Sequence, residues 1–384
     1  MRIVHTSDWH AGRLWKNLRR LDELEAALGS LAEFIETERA DLLLVTGDIF
    51  DTGAPVAEAE RLVFAFLKRM GAAGVKTIII AGNHDSPARL QAWGSLAELA
   101  GVHVVARPQP ADKGGVIHFE NRKGERAVVA AVPFASTRDL VSAAMLAESD
   151  TAARQRYADG LRRIVEQLCS KFDPDAINLL MAHTHIDSAV LSGSEREVHV
   201  GEQWAATAQA LPTNAHYVAL GHIHRPQRLL AAPSPAEYAG SPMQLDFGEE
   251  GEQKSFVVID AEPRSPASIR RVPYKGAKPL RTVRASLREL EARTTELSQA
   301  GWLRIRVPSV SRDPDLNAKV RRLLPNAVAV AAELPETLPS ESLRPPAGAP
   351  PKEVFAAYFR DRHGCEPDQA LIAAFEDLMA QVGH

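Results

Sequence analysis

The chain predicts an α/β fold, with helices packed over a sheet. Three observations carry this. Short apolar runs alternate with helix-spaced segments through residues 1–265. That alternation is the signature of βαβ units. Runs such as "LLLV" and "TIII" have the character of buried strands. Polar residues with metal-binding side chains then cluster immediately after those runs, where α/β sheets place their ligands.

The elements follow in order. "RIVHTSD" is a short apolar run ending in polar residues, and residues 20–38 carry Leu21, Leu24, Leu28, Leu31, Phe34 and Ile35 at helical spacing. "DLLLVTGD" is a buried-type strand, followed by the helix-like "AEAERLVFAFLKRMGAAG" with glycine near its end. "VKTIIIAGNHD" is another strand, followed by helix-like "SPARLQAWGSLAELAG". Further strands are read in "AVVAAVPF", "AINLLMAHT", "HYVALGHIH", "AEYAGSP" and "SFVVIDA". The texture changes near residue 266. A smaller α/β unit is expected over 266–335, with strands "LRTVRAS" and "GWLRIRVP" and helices "SLRELEARTTEL" and "DLNAKVRRLL". Five prolines between Pro339 and Pro351 make 336–351 a semi-rigid linker. Two amphipathic helices are expected within 352–384.

Composition narrows the function classes. With 384 residues, 45% hydrophobic and 24% charged, the chain has material for two or three globular domains. A net charge of −4 argues against polyanion binding over the whole molecule and leaves a local basic surface open. One candidate is 270–284, with six cationic side chains and no acidic one, among them Arg281 and Arg284. Cys169 and Cys365 are too few and too far apart for a disulfide framework or a thiolate metal site. No signal segment precedes the polar residues at Asp8, and the apolar runs are too short to span a bilayer. The expectation is a soluble cytoplasmic protein with no membrane association.

The chemistry sits at strand ends. The clusters are "SDWH" (Asp8, His10), "GDIFD" (Asp48, Asp51), "GNHD" (Asn83, His84, Asp85), "MAHTH" (His183, His185) and "GHIH" (His222, His224). Each alone could be a turn or a helix cap. Five in order, each closing a strand, are hard to explain as independent turns. Residues two apart in extended backbone point the same way, so Asp8 with His10, and His222 with His224, can each aim two donors at one place. Mixed oxygen and imidazole donors suit Mn²⁺ or Fe²⁺ better than a structural zinc cage. Seven donors exceed the needs of one ion and fit two, an arrangement suited to phosphate chemistry.

At these residues the sequence resembles the calcineurin-like metallophosphoesterases, whose ordered motifs appear here as "DWH", "GDIFD", "GNHD", the His of "MAH" and "GHIH". Within them it is similar to the SbcD family of DNA nucleases. That narrower likeness rests on "HTSDWHAGR", "SGSEREVHVG", "YVALGHIHRPQ", "YAGSPMQLDFGE" and the tail "PKEVFAAYFRDRHGCEPDQALIAAFEDLM". The resemblance implies a four-layer α/β/β/α sandwich over 1–265, a small α/β cap over 266–335 that helps position DNA, and a C-terminal helical segment that binds the SbcC ATPase. It implies two metals, Mn²⁺ foremost, with Mg²⁺, Fe²⁺ or Zn²⁺ also suited. One would sit at Asp8, His10 and His224, the other at Asn83, His183 and His222, with Asp48 bridging.

By the same resemblance His84 contacts the phosphate and assists the leaving group, Asp85 orients His84, and Asp51 lies near nucleic acid. His185 has no place in the ligand count and is expected beside the centre. The implied activity is exo- and endonucleolytic phosphodiester hydrolysis at DNA ends and hairpins, in a homodimer within a heterotetramer. The alternatives are a phosphomonoesterase or cyclic-nucleotide phosphodiesterase of the same fold, or a protein that mainly tethers DNA.

Overall fold

The structure, a computed structural model, describes residues 1–135, 150–192, 194, 205–309, 313–333, 349–363 and 367–382. Two six-stranded sheets form its centre. Across the first, the strands run Ser268–Pro273, Ser255–Asp260, Arg2–Thr6, Leu42–Val45, Lys76–Ile80 and Val102–Val105. The last four are mutually parallel. Across the second they run Gln227–Arg228, Ala236–Tyr238, Tyr217–Gly221, Ile177–His183, Arg126–Val132 and Val116–Glu120, with a parallel centre.

Three apolar layers explain why the strands read as unbroken hydrophobic runs. Ile3, Leu42, Leu44, Ile78 and Ile80 of the first sheet meet Val129, Ala131, Leu179, Met181 and Ala219 of the second. The alternate residues Val4, Leu43, Val45 and Ile79 pack outward. There they meet Leu24, Leu28, Leu31 and Ile35 of helix Leu21–Glu38 and Val63, Phe66, Leu67 and Met70 of helix Ala57–Ala72. On the far side Val128, Ala130, Leu180, Val218 and Leu220 pack against Leu161, Val165 and Leu168 of helix Asp150–Cys169. Both faces of the central strands are buried, so both parities there must be apolar. The architecture is the four-layer α/β/β/α sandwich.

Several expectations change in detail. Helix Asp150–Cys169 has no counterpart among the elements expected from sequence. "SLRELEARTTEL" forms two short helices, Leu287–Ala292 and Thr294–Ser298, interrupted at Arg293. The domain boundary expected at 265/266 falls too early. Ser268–Pro273 pairs along its whole length with Ser255–Asp260 and is the edge of the first sheet. The cap begins with its own parallel sheet, Leu280–Arg284, Trp302–Pro308 and Ala327–Glu333. That sheet closes over Leu290, Leu297, Leu303, Ile305, Val320 and Leu324. The tail forms helices Pro351–His363 and Gln369–Val382, joined by stacked Phe355 and Phe375 rings 4.3 Å apart. Most of the linker expected over 336–351, most of "SGSEREVHVG" and Cys365 lie outside the described residues. No helix among the described residues is long and apolar enough to cross a membrane.

Arg20 joins the cap to the sandwich. It is buried, with Nε and Nη2 donating to the Glu23 carboxylate at 2.9 and 2.8 Å and Nη1 to the Gln244 carbonyl at 2.5 Å. Nη2 also donates to the Lys278 carbonyl at 3.3 Å, entering the cap. Glu23 in turn accepts the Trp302 indole N–H and the Lys278 amide, both at 2.7 Å. Removing one member of such a buried pair strands the other charge. Arg20→Ala should therefore lower unfolding stability by about 3–5 kcal/mol in urea denaturation.

Candidate metal centre

The parallel strands end at a common edge, and the loops beyond them interlock. The Asp8 amide donates to the Gly47 carbonyl at 3.0 Å, the His10 amide to Asp48 at 2.9 Å and the Ala11 amide to Ile49 at 2.9 Å. To make these turns Asp8 (φ 53°), His10 (φ 46°), Asp48 (φ 49°) and His222 (φ 102°) all take positive φ. Non-glycine residues rarely adopt that region, at a cost of about 1–3 kcal/mol each. Strain of this kind concentrates at working sites. Gly82 is required sterically, because a Cβ there would collide with the Asp48 carboxylate and backbone nitrogen.

The side chains expected from sequence converge. Donor atoms of Asp8, His10 and His224 lie within 4.8 Å of one another, and so do those of Asp48, His183 and His222. Asp48 Oδ2 stands between the groups, 3.7 Å from His10 Nε2 and 3.5 Å from His183 Nε2. Asn83 Oδ1 is 2.9 Å from both His183 Nε2 and His222 Nδ1. His84, half-buried, sets its ring 4.6 Å from that of His10. His185 sits to one side, its ring 6.3 Å from that of His222.

This arrangement asks for cations. His183 Nδ1 donates to the Thr46 carbonyl at 2.7 Å, so Nε2 is the nitrogen presented to Asn83 and Asp48, which both offer acceptor oxygens. His10 Nε2 and His224 Nε2 face one another at 3.0 Å. Asp8 Oδ2 is buried without a hydrogen-bond partner. Lone pairs converging in a dry pocket need positive charge between them. Three oxygen and four imidazole donors fit divalent metals. The residues around Asp48 therefore fit a divalent metal site.

The electrostatics agree. Burial raises Asp8 to about 6. It pushes Asp48 up too, but His183, then His10 and His84, outweigh it and hold Asp48 well below the usual carboxylate range. Burial opposes charge on His183, yet Asp48 and then Asp8 push it up to about 9. Burial, followed by the His183 charge, drives His222 well down. In the absence of metal, a proton on His183 supplies the counter-charge.

The outer contacts depart from the sequence expectation. Asp85 does not orient His84, because its carboxylate is filled by backbone amides. It accepts from Gly82 at 2.9 Å, Phe50 at 3.1 Å and Ile49 at 3.3 Å, clamping the two loops together. The His84 ring is held instead by its Nδ1–H donating to the Asp51 carbonyl at 2.8 Å. Asp51, expected near nucleic acid, brings its carboxylate within 3.3 Å of His10 Nδ1. Sequence reasoning missed Thr46, Ser194, Glu249 and Lys254, all in contact with the ligand set. The stretch "LDFGE" contains Glu249, but nothing in its spacing links it to His224.

The basic stretch is also less free than its sequence implies. Arg281 is exposed. Arg284 and Arg306 both pair with Glu333, Arg271 with Glu237 at 2.6 Å and Arg270 with Glu38 at 3.7 Å.

Because His183 holds a proton below about 9, a bound cation must displace it. Affinity should then rise with pH and level off above that value. Calorimetric Mn²⁺ titration in buffers of different ionisation enthalpy should show release of about one proton per chain near neutral pH.

Comparison with known proteins completes the picture. Residues 1–226 match the calcineurin-like phosphoesterase family, and 277–363 match the type 5 capsule protein repressor C-terminal domain. The SbcD component of the SbcCD nuclease of Bacillus subtilis is 35% identical, covering 73% of this chain and 71% of that protein. That of Rhodobacter capsulatus is 32% identical over 94% of both chains, and that of Escherichia coli K12 is 28% identical over 84% and 82%. With the paired donor groups at the strand ends, these likenesses show that the chain belongs to the calcineurin-like phosphoesterases and, within them, to the SbcD family of SbcCD nucleases.

Proposed function

We propose that the chain is a two-metal DNA nuclease, the SbcD component of an SbcCD-type complex acting on DNA ends and hairpins in repair and recombination. The observation that supports it best is the position of Asp48 between the two donor groups, near His10 of one and within the other, with His84 beside His10. Asp8, His10 and His224 would hold one cation and Asn83, His183 and His222 the other, with Asp48 available to both. The donor set suits Mn²⁺. Bound there, the cations supply Lewis acidity toward phosphoryl oxygens and a nucleophile near neutral pH.

The protein's own groups do the rest. Thr46 fixes the His183 tautomer through its carbonyl, so that Nε2 faces inward. The Asp51 carbonyl anchors His84 at Nδ1. His84 then turns Nε2 toward the phosphate and gives a proton to the leaving oxygen. Buried walls exclude bulk water and strengthen each of these contacts.

Residues 1–273 carry this site, and the cap over 280–333 positions DNA. Arg281 is the exposed cation that best suits phosphate contact; Arg284 does so while sharing Glu333 with Arg306. The tail helices present exposed Val354, Tyr358, Leu371 and Leu378 to the SbcC ATPase. The assembly is expected to contain two copies of each protein.

His84→Ser should abolish Mn²⁺-dependent cleavage of blunt and hairpin DNA while both cations still bind. Full activity in that variant refutes the proton-donor role. Arg281→Glu should weaken DNA binding and reduce the slope of log affinity against log salt by about one. An unchanged slope removes this residue from the DNA surface.

A further inference from the structure

Behind His224 lies a buried charged group that the ligand set does not use. Glu249, fully buried, ends a short turn at Phe247–Glu249. Its Oε2 accepts the Leu245 amide at 3.0 Å and pairs with Lys254 Nζ at 2.6 Å. Its Oε1 accepts the Ser194 hydroxyl and lies 3.4 Å from His224 Nδ1. Ser194 Oγ is itself 2.7 Å from His224 Nδ1. With the serine proton directed to Glu249, the serine oxygen accepts Nδ1–H. That fixes the tautomer and leaves Nε2 facing His10. Lys254 also donates to the His224 carbonyl at 2.8 Å and to Glu252 at 2.8 Å. One Glu–Lys pair thus holds both the ring and the backbone of His224.

The same segment grips the cap on its other side. Gln244 Oε1 accepts the Leu280 amide at 2.7 Å, and its Nε2 donates to the Glu252 carbonyl at 3.0 Å. The Glu250 carboxylate accepts the Thr282 amide at 2.7 Å and hydroxyl at 2.5 Å. The Arg304 guanidinium lies 4.7 Å over the Phe247 ring. Gln244–Lys254 is therefore a short bracket, fixed to the cap at one side and to His224 at the other.

We infer that Glu249 is the positioning residue of His224, acting through Ser194, and that the Gln244–Lys254 bracket links the cap's position to that ligand. The inference rests on the assignment of His224 as a metal ligand.

The test uses the full chain, Mn²⁺ titration calorimetry and Mn²⁺ electron paramagnetic resonance. Glu249→Gln should weaken one of the two binding events by about 10–100-fold, the usual effect of losing a ligand's supporting partner. Sub-saturating Mn²⁺ should then give an isolated-ion spectrum where the unsubstituted chain gives a coupled pair. Ser194→Ala should weaken the same event without stranding a buried charge, so the answer survives if Glu249→Gln folds poorly. Glu250→Ala, on the cap side, should shift that event in the same direction by a smaller factor. Two binding events of undiminished affinity in Ser194→Ala and in folded Glu249→Gln overturn the inference, whatever the melting temperatures. Undiminished affinity in Glu250→Ala overturns the link to the cap. An unsubstituted chain that binds fewer than two Mn²⁺ overturns the metal assignment itself, a result distinct from any variant's.

Discussion

The centre depends on one buried carboxylate. Asp48 stands at the seam where the loops of both sheets meet, and almost none of it is exposed to water. Its Oδ1 accepts the His84 amide at 2.8 Å, and its Oδ2 lies between His10 and His183. A charge buried this deeply persists only with compensation close at hand. The first sheet supplies part of that through His10 and the second through His183. Because its carboxylate lies close to a member of each donor group, the position of Asp48 bears directly on the distance between them.

Holding that geometry has a cost, which the cores on either side offset. Four polar residues around the centre adopt positive φ, and several carry buried polar atoms. The compensation is local as well as global. Asp85 gathers three backbone amides and locks the loop after one strand to the loop after the next. Beneath them His5 spans the layer between the sheets, 2.9 Å from both the Tyr217 and Thr46 hydroxyls, with burial pushing it down to about 3. A neutral histidine there ties the sheets together without adding charge under Asp48.

Much of the fold and most of the donors are legible in the sequence. Each donor cluster sits at the end of a strand, so a local pattern marks it, and parallel strands bring those ends to one edge. The partners of the donors are not legible. Glu249 and Lys254 come from an irregular segment whose spacing carries no period, and they meet His224 only through folding. Asp85 misleads because sequence adjacency to His84 suggests contact, whereas neighbouring residues in a tight turn point apart. Ser268–Pro273 escapes notice because this edge strand carries two adjacent arginines and little buried apolar surface, and so resembles a surface segment. The basic stretch looks unopposed because its acidic partners, Glu38, Glu237 and Glu333, lie far off in the chain.

The order of strands in the first sheet also governs when the protein becomes complete during synthesis. Arg2–Thr6 is made first, yet one of its two neighbours is Ser255–Asp260, and Arg2 pairs with a residue 258 positions away. Contacts of such long range form slowly. Asp8, His10 and Asp48 leave the ribosome well before His222 and His224, and before the bracket that holds His224. A growing chain therefore carries a half-built centre that cannot gather its full set of donors. The sheet closes, and the centre with it, only after Ser255–Asp260 has emerged.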